Sequence, residues 1–76
     1  MEPTITPGIY GHYKGGRYEV IGVARHEATH EELVVYRALY DSAEFGNNAL
    51  WVRPKISFLE QVLVDGALVS RYKKIR

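Results

Sequence analysis

The chain predicts a mainly β fold, a small barrel of five to six short antiparallel strands with one short helical turn. Three observations carry that expectation. Short runs rich in Val, Ile, Tyr and Leu recur along the 76 residues. Turn formers separate them: Gly15-Gly16, the segment from Asp41 to Asn48, and Asp65-Gly66. Closure into a barrel also hides the sheet edges that so short a chain cannot otherwise cover.

The elements follow in order. Residues 1–7 hold Pro3 and Pro7 and are expected to form an extended N-terminal arm; residues 8–76 form one small domain. Ile9 to Lys14 is expected to be a short strand or extended arm. Period-two counting puts Tyr10, His12 and Lys14 on one face, with Ile9 and Tyr13 on the other. Gly15-Gly16 supplies a hairpin turn. Arg17 to Arg25 is the first strong strand. It carries apolar groups on both faces, with Gly22 marking a bend or bulge. His26 to Glu32 is polar and reads as a hairpin connection. Leu33 to Tyr40 tolerates a helix, but the cluster Val34-Val35-Tyr36 favours a strand with Val34, Tyr36, Ala38 and Tyr40 on one face.

Asp41 to Asn48 is a loop rich in turn residues. Ala49 to Arg53 is a short strand stopped by Pro54, which has no N–H to donate. Lys55 to Val64 is mixed; Phe58, Leu59 and Val62 suit either a helical turn or a short strand. Asp65-Gly66 is a hairpin signal, and Ala67 to Ile75 is the closing strand. A Src-homology-3-like barrel is the simplest arrangement of these pieces.

Composition narrows the function. With no cysteine there is neither a disulfide nor a thiolate metal site. Ten basic and nine acidic residues leave a formal charge of +1, so the whole surface is no electrostatic glove for nucleic acid. Arg71, Lys73, Lys74 and Arg76 do cluster near the end, which reads as a solvated last strand before it reads as an anion patch. Met1 to Pro7 has neither the basic nor the apolar region of a signal peptide, and no apolar run reaches the ~18 residues that span a bilayer. A cytoplasmic protein with no membrane partner is expected, acting as a monomer or weak homodimer.

One motif invites a sharper reading. His26-Glu27-Ala28-Thr29-His30 matches H-E-x-x-H, in which two histidines one helical turn apart hold zinc and the glutamate activates water. That chemistry needs a helix, a third ligand and a cleft. Here the flanks read as strands, no acid has a distinctive spacing, and the chain is small. A chance match in a surface loop is the expectation, with no catalytic residue, metal or cofactor assigned. A small metal-assisted hydrolase through His26, Glu27 and His30 is the second alternative.

The favoured reading is a binding module with an aromatic and basic groove for a small anionic ligand or peptide. Its expected residues are His12, Tyr13, Lys14, His26, Thr29, Tyr36, Trp51 and Arg53. Tyr36 and Trp51 offer flat apolar platforms, and Lys14 and Arg53 offer cations, Arg53 through a bidentate fork. The histidines and Thr29 offer directional hydrogen bonds and sensitivity near neutral pH. Core packing competes for every aromatic, and a structural pair with Glu60 or Glu19 competes for Arg53. A module binding single-stranded nucleic acid by stacking is the first alternative, disfavoured by the charge balance.

Several stretches taken together also resemble a known family. They are Gly8-Ile9-Tyr10, His12-Tyr13-Lys14-Gly15, Tyr18-Glu19-Val20, Ala24-Arg25-His26, Thr29, Val34 to Tyr40, Leu50 to Pro54, Phe58 and Asp65-Gly66. The chain is similar across these to a family of small bacterial domains of unknown function. The resemblance implies a compact, mostly β, cytoplasmic bacterial domain and supplies no activity. Members of that family read H-S-E-T where this chain has His26-Glu27-Ala28-Thr29, and His30 lies outside their pattern. The zinc-motif letters therefore look peculiar to this sequence.

Overall fold

A computed structural model describes residues 5–76. Among them are nine strands and one helical turn. These are β1 (Gly8–His12), β2 (Arg17–Arg25), β3 (Glu32–Ala38), β4 (Asp41–Ser42), β5 (Gly46–Asn47), β6 (Leu50–Pro54), α1 (Lys55–Phe58), β7 (Gln61–Val64), β8 (Ala67–Ser70) and β9 (Tyr72–Lys74). The mainly β class is as expected, and the helical turn falls within the stretch read as mixed.

The main sheet has the order β6-β3-β2-β1-β9, every neighbouring pair antiparallel. It does not close into the expected barrel. The strands that closure would need are spent elsewhere: β7 pairs only with β8 and β4 only with β5, in two separate two-stranded sheets. The expected closing strand from Ala67 to Ile75 is in fact two strands broken at Arg71, whose N–H turns away to the Glu60 carbonyl. Without a single long strand there, nothing bridges β9 to β6.

Local chemistry explains the joints. Val20 faces Tyr36 and Gly22 faces Val35, so Ile21 is an extra residue on β2 and the expected irregularity at Gly22 is a bulge. Asp65 and Gly66 both have positive φ, 49° and 82°, the backbone of the tight hairpin that Asp-Gly favours.

The core lies on one face of the main sheet and is made of Ile5, Tyr10, Val20, Val34, Tyr36, Phe58 and Tyr72, with Tyr18 and Trp51 half-buried against it. Val34, Tyr36 and Ala38 are the buried positions of β3, as alternation requires. Helical turn α1 serves this face: Phe58 reaches in and stacks flat on Tyr72, ring centroids 4.2 Å apart and 5° from parallel. The expected arm of residues 1–7 lies partly outside the described residues. Of its described part, Ile5 is buried, and the Thr6 carbonyl accepts a hydrogen bond from the Tyr10 hydroxyl at 2.8 Å.

Candidate functional site

Sheet register assembles the site. His12 lies opposite Tyr72, Tyr10 opposite Tyr18, Val20 opposite Tyr36, Tyr36 opposite Trp51, and Val34 opposite Arg53. Residues directly opposite share a face. Five strands therefore stack their aromatic and cationic side chains on the same side as the core.

The contacts are dense. His12 sits edge-on to Tyr72 with ring centroids 4.9 Å apart and to Tyr18 at 6.3 Å. Tyr18 meets Tyr36 at 5.4 Å and Tyr72 at 5.7 Å, both near perpendicular. Edge-to-face geometry suits ring quadrupoles and fixes the rings against one another. Two hydroxyl pairs cross the cluster, Tyr36 with Tyr72 at 3.4 Å and Tyr18 with Tyr40 at 3.0 Å. Phe45 extends the aromatic surface past Trp51, centroids 4.9 Å apart.

Two guanidinium groups converge here. The Arg53 Cζ lies 5.8 Å from the Tyr72 ring centroid, a cation–π arrangement. Its Nη1 is buried and has no hydrogen-bond partner among the described residues, and neither has the Nε of Arg71. Arg71 does spend its Nη2 on Glu60 at 2.8 Å. Glu19 pairs with Arg37 at 3.4 Å. Both acids that the sequence offered to Arg53 therefore serve other arginines.

Titration directions agree with a cationic, partly dry site. Burial lowers the pKa of His12 below the ordinary histidine value, and Arg71, Arg53 and Lys14 lower it further by repulsion. Its Nδ1 accepts the Lys14 backbone N–H at 3.1 Å, so the neutral ring carries its proton on Nε2 and presents a donor. Burial raises the Tyr18 hydroxyl, and its hydrogen bond with Tyr40 raises it further. Burial likewise raises Tyr72, followed by its bond with Tyr36 and opposed by Arg53. At neutral pH the face offers two guanidiniums, a neutral imidazole and neutral phenols. That set suits recognition of an anion.

Of the residues expected from sequence, His12, Tyr36, Trp51 and Arg53 meet on this face. Tyr13 and Lys14 sit beside it in the turn after β1, Tyr13 at 4.8 Å from the His12 ring and the Lys14 Nζ 5.8 Å from the Tyr13 ring. His26 and Thr29 belong to the β2–β3 hairpin, and their hydrogen bonds stay inside that turn. Tyr18, Tyr40, Arg71 and Tyr72 were missed. The alternation of Tyr18 with Val20 was a usable signal for the first; Arg71 and Tyr72 were hidden in a stretch read as a solvated basic end.

The H-E-x-x-H letters fall in that hairpin. The His30 N–H does reach the His26 carbonyl at 2.8 Å, but this single α-turn is not continued as a helix. His26 Nδ1 accepts the N–H groups of Ala28 and Thr29 at 3.1 and 3.3 Å, and His30 adopts a left-handed φ of 65°. One lone pair is thus committed and the second ring is turned off the helical path. No group of three His, Asp or Glu side chains among the described residues is placed to hold a metal ion. No helix among them is long and apolar enough to cross a membrane.

Comparison with known proteins supports the fold. The chain is similar to a crystallised protein of the DUF1653 family from Bordetella bronchiseptica, with 32% identity and a TM-score of 0.83. The match covers 93% of this chain and 87% of that one. Among curated proteins, none matches. The model of a family described as protein of unknown function, DUF1653, matches residues 8–74. The chain thus belongs to the DUF1653 family.

Proposed function

We propose that the protein is a binding module that holds a small anionic ligand, or the anionic end of a peptide, on the aromatic face around Tyr72. One observation carries this reading: the Arg53 Nη1 is buried with no acceptor among the described residues. An unmet buried donor costs about 1–3 kcal/mol, more when charged. A carboxylate or phosphate oxygen supplies the missing acceptor when neighbouring side chains move aside to admit it, since the Arg53 Nη1 and the Arg71 Nε are both screened from solvent.

The other groups have roles that follow from position. His12 donates from Nε2. Tyr18 adds a neutral hydroxyl, while the buried Tyr72 hydroxyl pairs with Tyr36. Half-buried Trp51 is the apolar platform, Tyr36 supports the site from the core beneath Tyr18, Phe58 and Tyr72, and Lys14 adds long-range attraction from the turn. His26 and Thr29 are left out of this reading, because the His26 Nδ1 and the Thr29 Oγ1 accept N–H groups of their own hairpin.

The test is an NMR titration of nitrogen-15-labelled protein with inorganic phosphate and with acetate, against sodium chloride at matched ionic strength. Saturable shifts at the amides of His12, Trp51 and Tyr72 and at the Arg53 side-chain N–H are expected. Arg53→Met should remove them. Equal, unsaturated shifts with chloride would sink the proposal. Binding of a single-stranded oligonucleotide whose affinity falls steeply with salt would favour the stacking alternative instead.

A further inference from the structure

The opposite side of the β1–β9 pair holds a concavity. It is a cleft of about 670 Å³ between that pair and the β7–β8 hairpin. Such a volume falls within the ~300–1,000 Å³ usual for small-molecule sites. Its origin is the break at Arg71. There the chain is tied down on both sides: the Arg71 N–H bonds the Glu60 carbonyl at 3.1 Å, and its carbonyl accepts the Tyr13 N–H at 3.0 Å. Held at that point, β7 and β8 leave the main sheet and pair only with each other. The cleft is the space left between.

Its lining is apolar with a cation at the edge. Val64 and Val69 line it from the hairpin, and Ile75 and Gly11 from the β1–β9 side. Gly11 keeps this side open, since a Cβ there would stand 3.2 Å from the Ile75 Cδ1 and that side chain would have to shift by a few tenths of an ångström. Gly11 lies directly opposite Lys73, so both project to the face away from Tyr72. Lys73, Ser70, His12 and Tyr13 supply the polar groups, and no aspartate or glutamate lines the cleft.

We infer that this cleft binds a monocarboxylate with an apolar body, such as a medium-chain acid. The aliphatic part lies between Val64, Val69 and Ile75, and the carboxylate meets the Lys73 ammonium and the Ser70 hydroxyl. Charge complementarity selects this occupant. A lining with one ammonium and no acid favours a single negative charge, and the branched side chains favour a body that prefers to leave water. The site is separate from the one proposed around Arg53: its charge, its apolar lining and its side of the sheet all differ, and His12 and Tyr13 alone among its lining residues border both.

Octanoate is the probe, with octanol and octylammonium as controls, in amide-detected NMR titrations of the full chain. Saturable shifts at Gly11, Val64, Val69 and Ile75 are expected with octanoate, weaker ones with octanol and the weakest with octylammonium. Lys73→Glu should weaken octanoate binding by about tenfold or more, and Val69→Asp should abolish it. Arg53→Met should leave it intact, so failure of the anion site and failure of this cleft are distinguishable. Equal response to all three probes, or no response, overturns the inference. So would concentration-dependent shifts of the same amides without any probe, which would mean that a second copy covers the cleft.

Discussion

The aromatic face and the β2–β3 hairpin tip hold similar residue types and use them in opposite ways. Each has a histidine whose Nδ1 accepts backbone N–H groups, His12 from Lys14 and His26 from Ala28 and Thr29. At the tip the turn's own acceptors are engaged. Thr29 Oγ1 accepts the Glu31 N–H, and the His30 carbonyl accepts the Arg25 guanidinium at 2.9 Å. On the aromatic face, by contrast, Arg53 and Arg71 keep buried donors unmet among the described residues. A motif's letters therefore say less about function than whether neighbouring groups already satisfy its polar atoms.

The largest expected difference between the two regions is in stability. Phe58→Ala removes the ring stacked on Tyr72 and beside Tyr10 and Tyr36. It should cost about 3–5 kcal/mol in urea unfolding. Glu27→Ala at the tip should stay within about 0.5 kcal/mol. Comparable losses from the two changes would mean that the hairpin tip is as deeply built into the fold as the aromatic face.

Ligand affinity comes next. Arg53→Met should lower phosphate or acetate affinity by about tenfold or more. Its stability cost should stay within about 1 kcal/mol, since no hydrogen-bonded partner is left behind, the methylene stem is largely replaced, and what is lost is the cation–π contact with Tyr72. Arg53→Lys should bind less well than the parent, because an ammonium cannot present the same fork. A strongly destabilised Arg53→Met would show instead that Arg53 is a structural residue.

Acid response separates the regions further. The His12 pKa lies below its unfolded value, chiefly from burial and then from Arg71, Arg53 and Lys14. The unfolded chain thus takes up a proton first as pH falls below about 6.5. Stability from this residue is complete above that pH and declines as pH drops through the folded value. His12→Gln should flatten that part of a stability–pH curve. An anion bound beside Arg53 offsets the two guanidiniums, so it should raise the His12 pKa. By reciprocity its affinity should rise as His12 becomes protonated. An anion that leaves the His12 titration unmoved would place the ligand elsewhere.

How much of this could be read from sequence depends on how far apart the cooperating residues lie. The β2–β3 hairpin, the Gly22 bulge and the Asp65-Gly66 turn are local, set by alternation and turn chemistry within a few residues, and all three were legible. Tyr36, Trp51, His12 and Arg53 were legible as a residue set because aromatic and basic side chains on strands suggest a groove. Tyr72 and Arg71 were not. They reach His12 only because β9 returns to pair with β1, and no local pattern encodes a pairing between chain segments so distant. The open sheet escaped for a related reason. The bend at Arg71 rests on hydrogen bonds to Glu60 and Tyr13, both remote in sequence, where alternation alone predicts one continuous strand.

The smallest effect is the most discriminating for the motif. If His26 is a turn residue, what matters is its acceptor at Nδ1, which holds the Ala28 and Thr29 N–H groups. Asparagine can place a side-chain oxygen in much the same position, as it does in turns that bond the backbone two residues on. His26→Ala should then cost about 1 kcal/mol, the size of a lost cap, and His26→Asn should recover most of it. Neither variant should change with added zinc. If His26 is a metal ligand, asparagine is no better than alanine, and zinc should stabilise the parent alone by raising its melting temperature. The ranking of three proteins with and without zinc thus decides between a hairpin and a metal site, at the one place where the sequence spells both.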